Sequence, residues 1–396
     1  MNRKHLSLTL LLVVLVAATA PPRAEAIPAF ARQYKISCTT CHAPFPRLKP
    51  YGEEFAGNGF VIPEQENERD FISAGDDLLK LNRTFPVAAR FDAYALYEDQ
   101  HDINNDLQAP WGLKLLSGGT LARNVGYYFY FYMSERGEVA GVEDAYIHFN
   151  DVGGVPFDIM VGQFQTSDPL MKRELRLTYE DYEIYKVRIG NSQNNLAYDR
   201  GVMLTFDIEK TGTGLVGMLV NGNGKPEAGD NRKFDNDKYK NFGFRVSQDV
   251  LEPFRIGYFY YYGEEKGFAS ETATTAYKNR LQHHGPDFTL GNGMFDLNFQ
   301  YLFRRDTNPV FVVDGARVET EGMIAELVFA PRRDSSRLYF TVLYNQIDSE
   351  LDGHDYETVT ISGTHVLARN LRGNLEFTRD LEGEFSRIGV GLVSAF

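Results

Sequence analysis

An all-β fold, a closed antiparallel barrel of the kind that crosses an outer membrane, is what this sequence predicts, and three observations predict it. From about Phe85 onward the chain reads as segments of roughly ten residues with alternating polarity. The connections between those segments alternate between tight turns and long polar loops. Among the 396 residues there are 29 Phe, 23 Tyr and 36 Gly but only two Cys, a profile that favours strands and turns and leaves no disulfide framework for a small soluble domain.

The alternation is explicit in several segments. Val142, Asp144, Tyr146 and His148 fall on one face while Glu143, Ala145, Ile147 and Phe149 fall on the other. Phe157, Ile159 and Val161 alternate with Asp158, Met160 and Gly162, and Val359 and Ile361 with Thr358, Thr360 and Ser362. A period of two with unlike faces fits a strand that meets different media on its two sides. A soluble sandwich has the same period, so the connections decide. Tight turns are expected at 117–122, 151–155, 209–212, 250–253, 291–293, 330–335 and 368–370. Long loops are expected at 99–110, 166–199, 221–239, 263–282, 305–316 and 347–355. Short turns on one rim and long loops on the other are the outer-membrane barrel pattern, with the short rim in the periplasm, and the segments number about sixteen. The chain ends with Ile388, Val390 and Leu392 in step with a terminal Phe396, which is similar to the C-terminal strand of proteins assembled into that membrane; Ser394 departs from it. Outer-membrane lipid is therefore an expected partner. No apolar run reaches the roughly 18 residues of a spanning helix.

Residues 1–26 read as a secretory signal: Arg3 and Lys4, an apolar stretch from Leu6 to Ala20, and Ala24-Glu25-Ala26 before an expected cleavage at Ile27. The net charge of −13 argues against nucleic acid as a partner. No Ser-His-Asp set or phosphate loop is present.

Both cysteines lie in Cys38-Thr39-Thr40-Cys41-His42, the C-x-x-C-H pattern of covalent haem attachment. Two thioethers would anchor the porphyrin and His42 would reach the iron as proximal ligand, giving one covalent haem c. A disulfide or a thioredoxin-like pair also uses C-x-x-C, but gains nothing from the adjacent histidine. A domain division follows: signal peptide 1–26, haem segment 27–84, barrel 85–396. The haem segment is too short to bury a haem in its own core, so the barrel must complete the pocket, with the segment plugging the lumen from the short-turn rim. Phe45, Leu48, Tyr51, Phe55 and Phe60 are expected to pack on the haem or on the barrel wall. No second His and no Met falls between His42 and residue 85. A sixth iron ligand would come from the barrel, with His148 and Met160 as candidates on polar strand faces, or the site would bind water. His365 is in phase with Val359 and Ile361 and belongs to the lipid face.

Residues 27–60, with Phe30-Ala31-Arg32-Gln33 before the haem motif and Pro46, Leu48, Tyr51-Gly52, Phe55 and Gly59-Phe60 after it, resemble the fused monohaem cytochrome-porin family of bacterial outer membranes, whose best-known members are Fe(II) oxidases. That resemblance implies electron transfer from extracellular Fe(II), or another external redox partner, to a periplasmic carrier such as a cytochrome or a copper protein, and so an oxidoreductase. Electron export to an external acceptor uses the same parts. A solute porin with a structural or sensory haem is the reading from a different class, and peroxidase-like chemistry a third. Acidic loop residues, among them Glu98, Asp99, His101, Asp102 and Asp106, then Asp230, Asp235 and Asp237, then Asp348, Glu350, Asp352, His354, Asp355 and Glu357, could concentrate divalent cations at the mouth or simply form a solvated rim.

Overall fold

Strands that alternate apolar and polar residues bury one face only if the sheet closes on itself or meets a second layer, and here it closes. The computed structural model describes residues 29–62, 71–73, 75, 80–82, 86–100, 104–167, 170–229 and 231–396. The expected signal peptide, and His101, Asp102 and Asp230 of the acidic loops, lie outside them. A two-stranded hairpin, β1 (Phe71–Ser73) and β2 (Lys80–Asn82), precedes the barrel. The barrel strands are β3 (Val87–Glu98), β4 (Asn105–Ala122), β5 (Val125–Glu135), β6 (Gly141–Phe149), β7 (Phe157–Phe164), β8 (Asp199–Ile208), β9 (Thr213–Val220), β10 (Asn241–Leu251), β11 (Phe254–Phe268), β12 (Ala276–Gly291), β13 (Phe295–Asp306), β14 (Val318–Phe329), β15 (Leu338–Ser349), β16 (Tyr356–Ala368), β17 (Leu371–Asp380) and β18 (Ser386–Ala395). Each pairs antiparallel with its neighbour in the chain. β18 closes on β3 through pairs such as Val390 with Ala95, which leaves no open edge.

The two faces match their media. On β16, Thr358, Thr360, Ser362 and Thr364 are buried toward the lumen, while Ile361 and His365 point outward. Phe242, Phe244, Ile361, Leu375, Val390 and Leu392 belong to an exposed apolar exterior, and such a belt is stable only against hydrocarbon. On β6 the expected phase is interrupted. The pairs Phe129 with Ala145 and Phe131 with Val142 enclose one extra residue on β6, a bulge that turns Val142 outward and buries Glu143 together with Asp144 and His148.

Short connections occupy one end: 123–124, 150–156, 209–212, 252–253, 292–294, 330–337 and 369–370; the turn expected at 117–122 is strand instead, β4 turning only after Ala122. The other end differs from expectation in two ways. The stretch 263–282 is mostly strand, with only 269–275 as connection, and β4 begins at Asn105 inside the expected 99–110 loop. Polar strand ends continue the ladder beyond the membrane, supported by pairs such as Lys278 Nζ to Glu264 Oε2 (2.5 Å), so backbone pairing outlasts the apolar alternation that reveals it. The loop after β7 also does not stay at the rim. The described residues of the 165–198 loop fold into the lumen, where Tyr182, Ile184, Tyr185 and Leu196 pack with Phe259, Tyr261, Ile324 and Leu343 of the wall. Asn345 Nδ2 donates to the Asp181 carbonyl (3.0 Å) and Arg372 to the Leu177 carbonyl (3.1 Å), which ties the loop down.

Three short helices, α1 (Ala29–Tyr34), α2 (Cys38–Cys41) and α3 (Pro50–Gly57), form a plug at the short-turn end. It touches opposite parts of the wall. Arg47 pairs with Asp296 on β13, Lys49 with Asp334 in the 330–337 turn (3.3 Å), and Asn150 Nδ2 donates to the Asn58 carbonyl. Gly126 and Gly59 allow backbone to meet backbone: a Cβ on Gly126 would lie 2.1 Å from the Gly59 carbonyl oxygen. Gly59 has φ +63° and its α-carbon faces His148, a conformation and a closeness that favour glycine.

Candidate functional site

The site grows from one turn of helix. Ser37 caps α2 by accepting from the Thr39 amide (3.4 Å), and the His42 amide donates to the Cys38 carbonyl (2.9 Å). Three residues apart on that turn, Cys38 and Cys41 share a face, and both are free thiols. The chain then leaves the helix, pairs His42 with Leu48 and returns, with the Lys49 amide on the Cys41 carbonyl (2.8 Å). α3 packs directly behind this turn, and a Cβ on Gly52 would lie 2.4 Å from the Cys41 carbonyl oxygen. The glycine in Tyr51-Gly52 therefore has a steric reason.

His42 Nδ1 lies 3.0 Å from the Pro46 carbonyl oxygen. A carbonyl can only accept, so the hydrogen sits on Nδ1 and Nε2 keeps its lone pair, the arrangement of an imidazole prepared to bind a metal through Nε2. Burial pushes the His42 pKa below its usual value, which keeps the ring neutral. Burial likewise raises both thiols, Cys38 and Cys41.

Cys38, Cys41 and His42 line a cavity of about 1430 Å³, continuous with open solvent, between plug and barrel. The plug contributes Phe30, Phe45, Leu48, Phe55 and Phe60; the barrel contributes Leu116, Tyr128, Tyr130 and Tyr146. Phe60 stacks on Phe30 and on Tyr128, each at 4.7 Å between ring centres, which explains Gly59-Phe60 as the hinge that lays an aromatic against the wall. Of the aromatics expected there, only Tyr51 is elsewhere, 42 % exposed.

One sector of the cavity is charged. Arg90, Lys114, Lys172 and Arg369 face it together with Asp144 and Glu174; Arg90 is ion-paired with Asp92 (2.8 Å), Lys114 with Glu174 and Lys172 with Glu53 (3.9 Å), and Arg369 has no carboxylate partner among the described residues. Lys114 Nζ bonds Glu174 Oε2 (2.8 Å) and Tyr130 Oη (2.9 Å), so the inward loop closes over the cavity through Glu174. Gln165 Oε1, buried in the same lining, has no hydrogen-bond partner among the described residues.

These features fit a covalently held haem. The two cysteines and His42 line one cavity, its walls are aromatic, and Arg369, without a carboxylate partner among the described residues, is placed to meet a propionate carboxylate. His148 and Met160, the expected candidates for a sixth ligand, both point inward but lie outside the cavity lining. His148 packs on Gly59, with Nε2 3.8 Å from Asp158, and Met160 packs on the core of the inward loop. The bulge and the glycine contact that set these positions left no mark in the alternation. Glu174 and Gln165 were also missed, since they join the site only because a loop turns inward, and Lys114 was missed because barrel closure and the plug decide which part of the β4 wall faces the cavity.

The outer loops use their acids structurally. Asp355 accepts from the Ser349 amide (2.9 Å), Glu350 from the Glu319 amide (2.9 Å), and His354 Nε2 accepts from the Gly190 amide (3.1 Å). Among the described residues no group of three or more His, Cys, Asp or Glu is arranged to hold a metal ion.

No protein-family model matches the chain, and no curated protein sequence does. Solved structures do. An anion-selective porin from Comamonas acidovorans is similar with TM-score 0.56 and 11 % identity, over 79 % of this chain and 99 % of that one. OmpT, an outer-membrane protein of Vibrio cholerae, is similar in its trimer form with TM-score 0.54 and 11 % identity, over 79 % and 99 %. Salmonella typhi OmpF, in complex with daunomycin, gives 0.54 and 12 %, over 82 % and 100 %. At such identity the likeness concerns fold, and this chain has the sixteen-stranded barrel fold of outer-membrane porins.

Proposed function

We propose that the protein is an outer-membrane electron-transfer barrel in which one haem c, attached through Cys38 and Cys41 and ligated by His42, moves single electrons between the exterior and a periplasmic carrier. The observation that carries this reading is the shared cavity: thiols and a hydrogen-bonded imidazole from the plug meet aromatic and cationic side chains from the barrel wall. When bound, the haem supplies one-electron redox chemistry. The chain's own residues bind and orient it. Pro46 fixes the His42 tautomer, Phe30, Phe55 and Phe60 would pack against the porphyrin, and Arg369 would offset propionate charge. The similarity of residues 27–60 to cytochrome-porins supports extracellular Fe(II) as donor.

A solute porin whose haem is structural is the second reading, favoured by the porin fold itself. The plug and the 165–198 loop both occupy the lumen, which weighs against free diffusion.

The test combines three measurements on purified protein from cells competent in cytochrome c maturation: haem staining on denaturing gels, redox titration with Fe(II), and single-channel conductance. A stained band lost in Cys38→Ala or Cys41→Ala, reduction by Fe(II) and low conductance are expected. A band without haem defeats the reading. A haem that excess Fe(II) leaves oxidised removes the iron-oxidase assignment, and large open conductance without redox turnover favours the porin.

A further inference from the structure

The turn that carries Cys38, Cys41 and His42 has two sides. One walls the lumen cavity, and the other walls a second cleft of about 840 Å³ continuous with open solvent, between Thr39, Ala43 and Pro44 of the plug and Arg337, Tyr339 and Arg369 of the barrel. Cys38, His42, Phe45 and Arg369 belong to both. The barrel wall of the cleft comes largely from the 330–337 and 369–370 connections, so it opens at the short-turn rim. It is the side of the motif that a molecule at that rim can reach.

Charge at this place runs against the net −13 of the chain. Arg332, Arg333, Arg337 and Arg369 are all exposed, and Asp334, the acid among them, is paired with Lys49 at 3.3 Å. Among the described residues none of the four arginines makes an ion pair with a carboxylate. Arg337 instead donates to the carbonyls of Val366 (3.0 Å) and Leu367 (3.1 Å), which holds it at the lip of the cleft. No other short turn carries more than one cation: 123–124 has Arg123, 209–212 has Lys210 beside Glu209, and Asp151 and Glu252 make two others acidic. A compact group of exposed cations beside a redox motif produces a local positive field, which raises the encounter rate of a negatively charged partner and orients it.

We propose that this cleft is the docking site of a soluble one-electron carrier protein with an acidic face. The proposal rests on the haem reading above and adds to it the partner's chemistry and place. With a ferrous haem held by Cys38, Cys41 and His42, the exchange would pass one electron from it to the oxidised metal centre of the carrier, leaving the haem ferric and the carrier reduced by one, with no proton or ligand transferred. Anionic lipid headgroups share the acidic chemistry, but the far wall of the cleft is the plug, on the lumen side of the rim. The lipid-facing side chains of the same strands, Leu338 and Leu367, turn the other way.

The test uses the full-length holoprotein, wild type and the double variants Arg333→Glu/Arg337→Glu and Arg333→Gln/Arg337→Gln, neither residue lining the haem cavity, with heat-modifiable gel mobility confirming an intact barrel. The probes are a plant-type plastocyanin, an acidic copper protein, and a basic mitochondrial-type cytochrome c. Affinity is read by surface plasmon resonance and electron transfer from the reduced protein by stopped flow. Charge reversal should lower both affinity and second-order rate for plastocyanin about tenfold or more at low ionic strength, with a smaller loss for the glutamine pair and a gain for the basic cytochrome. The difference should shrink in about 0.5 M salt, where screening is strong. Unchanged affinity and rate at low salt overturn the proposal. So does an effect confined to binding of vesicles containing anionic phospholipid. Failure of the haem reading is seen separately, as wild-type protein without haem stain, and the resonance measurement still decides whether the acidic protein docks.

Discussion

Replacing Glu174 by Gln should loosen the loop that closes the cavity, and the size of the effect can be worked from the contacts. Lys114 is 2 % exposed and its ammonium is held by Glu174 at 2.8 Å. Removing one member of such a pair leaves a buried charge, at about 3–5 kcal/mol. The lysine keeps the Tyr130 hydroxyl and the rings of Tyr130 and Tyr132, 5.1 and 4.2 Å from Nζ, which return about 0.5–2 kcal/mol. Taking the middle of both ranges, about 3 kcal/mol remains, or roughly 100-fold more frequent opening. Hydrogen exchange of peptides covering 170–198 reads this directly as lost protection. In the double variant Lys114→Met/Glu174→Gln the buried charge is gone too, and most of the protection should return. The carboxylate also predicts a pH dependence. Burial opposes ionisation of Glu174, but Lys114, Arg176 and Arg90 outweigh it and take the group down to about 2. With the folded value below the unfolded one of about 4.3, the stabilisation is full above that value and is lost as pH falls toward 2. Loop protection that is equal in wild type and Glu174→Gln at pH 7 would refute the reasoning.

Three further outcomes are expected. Gly126→Val places side-chain atoms where the Gly59 carbonyl lies, so the plug should be displaced and become cleavable by protease, while the barrel keeps its heat-modifiable mobility. His148→Ala should leave the absorption bands of the proposed haem in place, because His148 packs on Gly59 outside the cavity, and should raise plug cleavage modestly; a shifted Soret band would make His148 an iron ligand of that haem. Epitope tags inserted at Gly353 should be labelled on intact cells and tags at Gly153 should not, since the two lie on opposite rims.

How much was legible from residues alone follows from the range of the interactions concerned. Strand identity, facing and number were legible because a barrel wall between lipid and lumen imposes a period of two on Val359 to Ser362 and on Ile388 to Leu392 without reference to any distant residue. The C-x-x-C-H turn was legible because its pattern is local: Cys38, Cys41 and His42 lie within five residues, and their mutual geometry is set by one helical turn. Strand ends were less so, since the ladder between β11 and β12 continues on backbone bonds and ion pairs after the apolar signal stops. What surrounds the motif was not legible. That the 165–198 loop turns inward, that Glu174 meets Lys114 sixty positions away, and that His148 meets Gly59 instead of the cavity depend on contacts between segments remote in sequence. The polar composition of that loop suits solvent and a polar lumen equally well. By itself the sequence determined a membrane-spanning barrel wall and a local C-x-x-C-H turn. Only the tertiary structure decided which wall residues that turn faces, because closure of the barrel brings the plug, the inward loop and Arg90, Lys114 and Arg369 to one place.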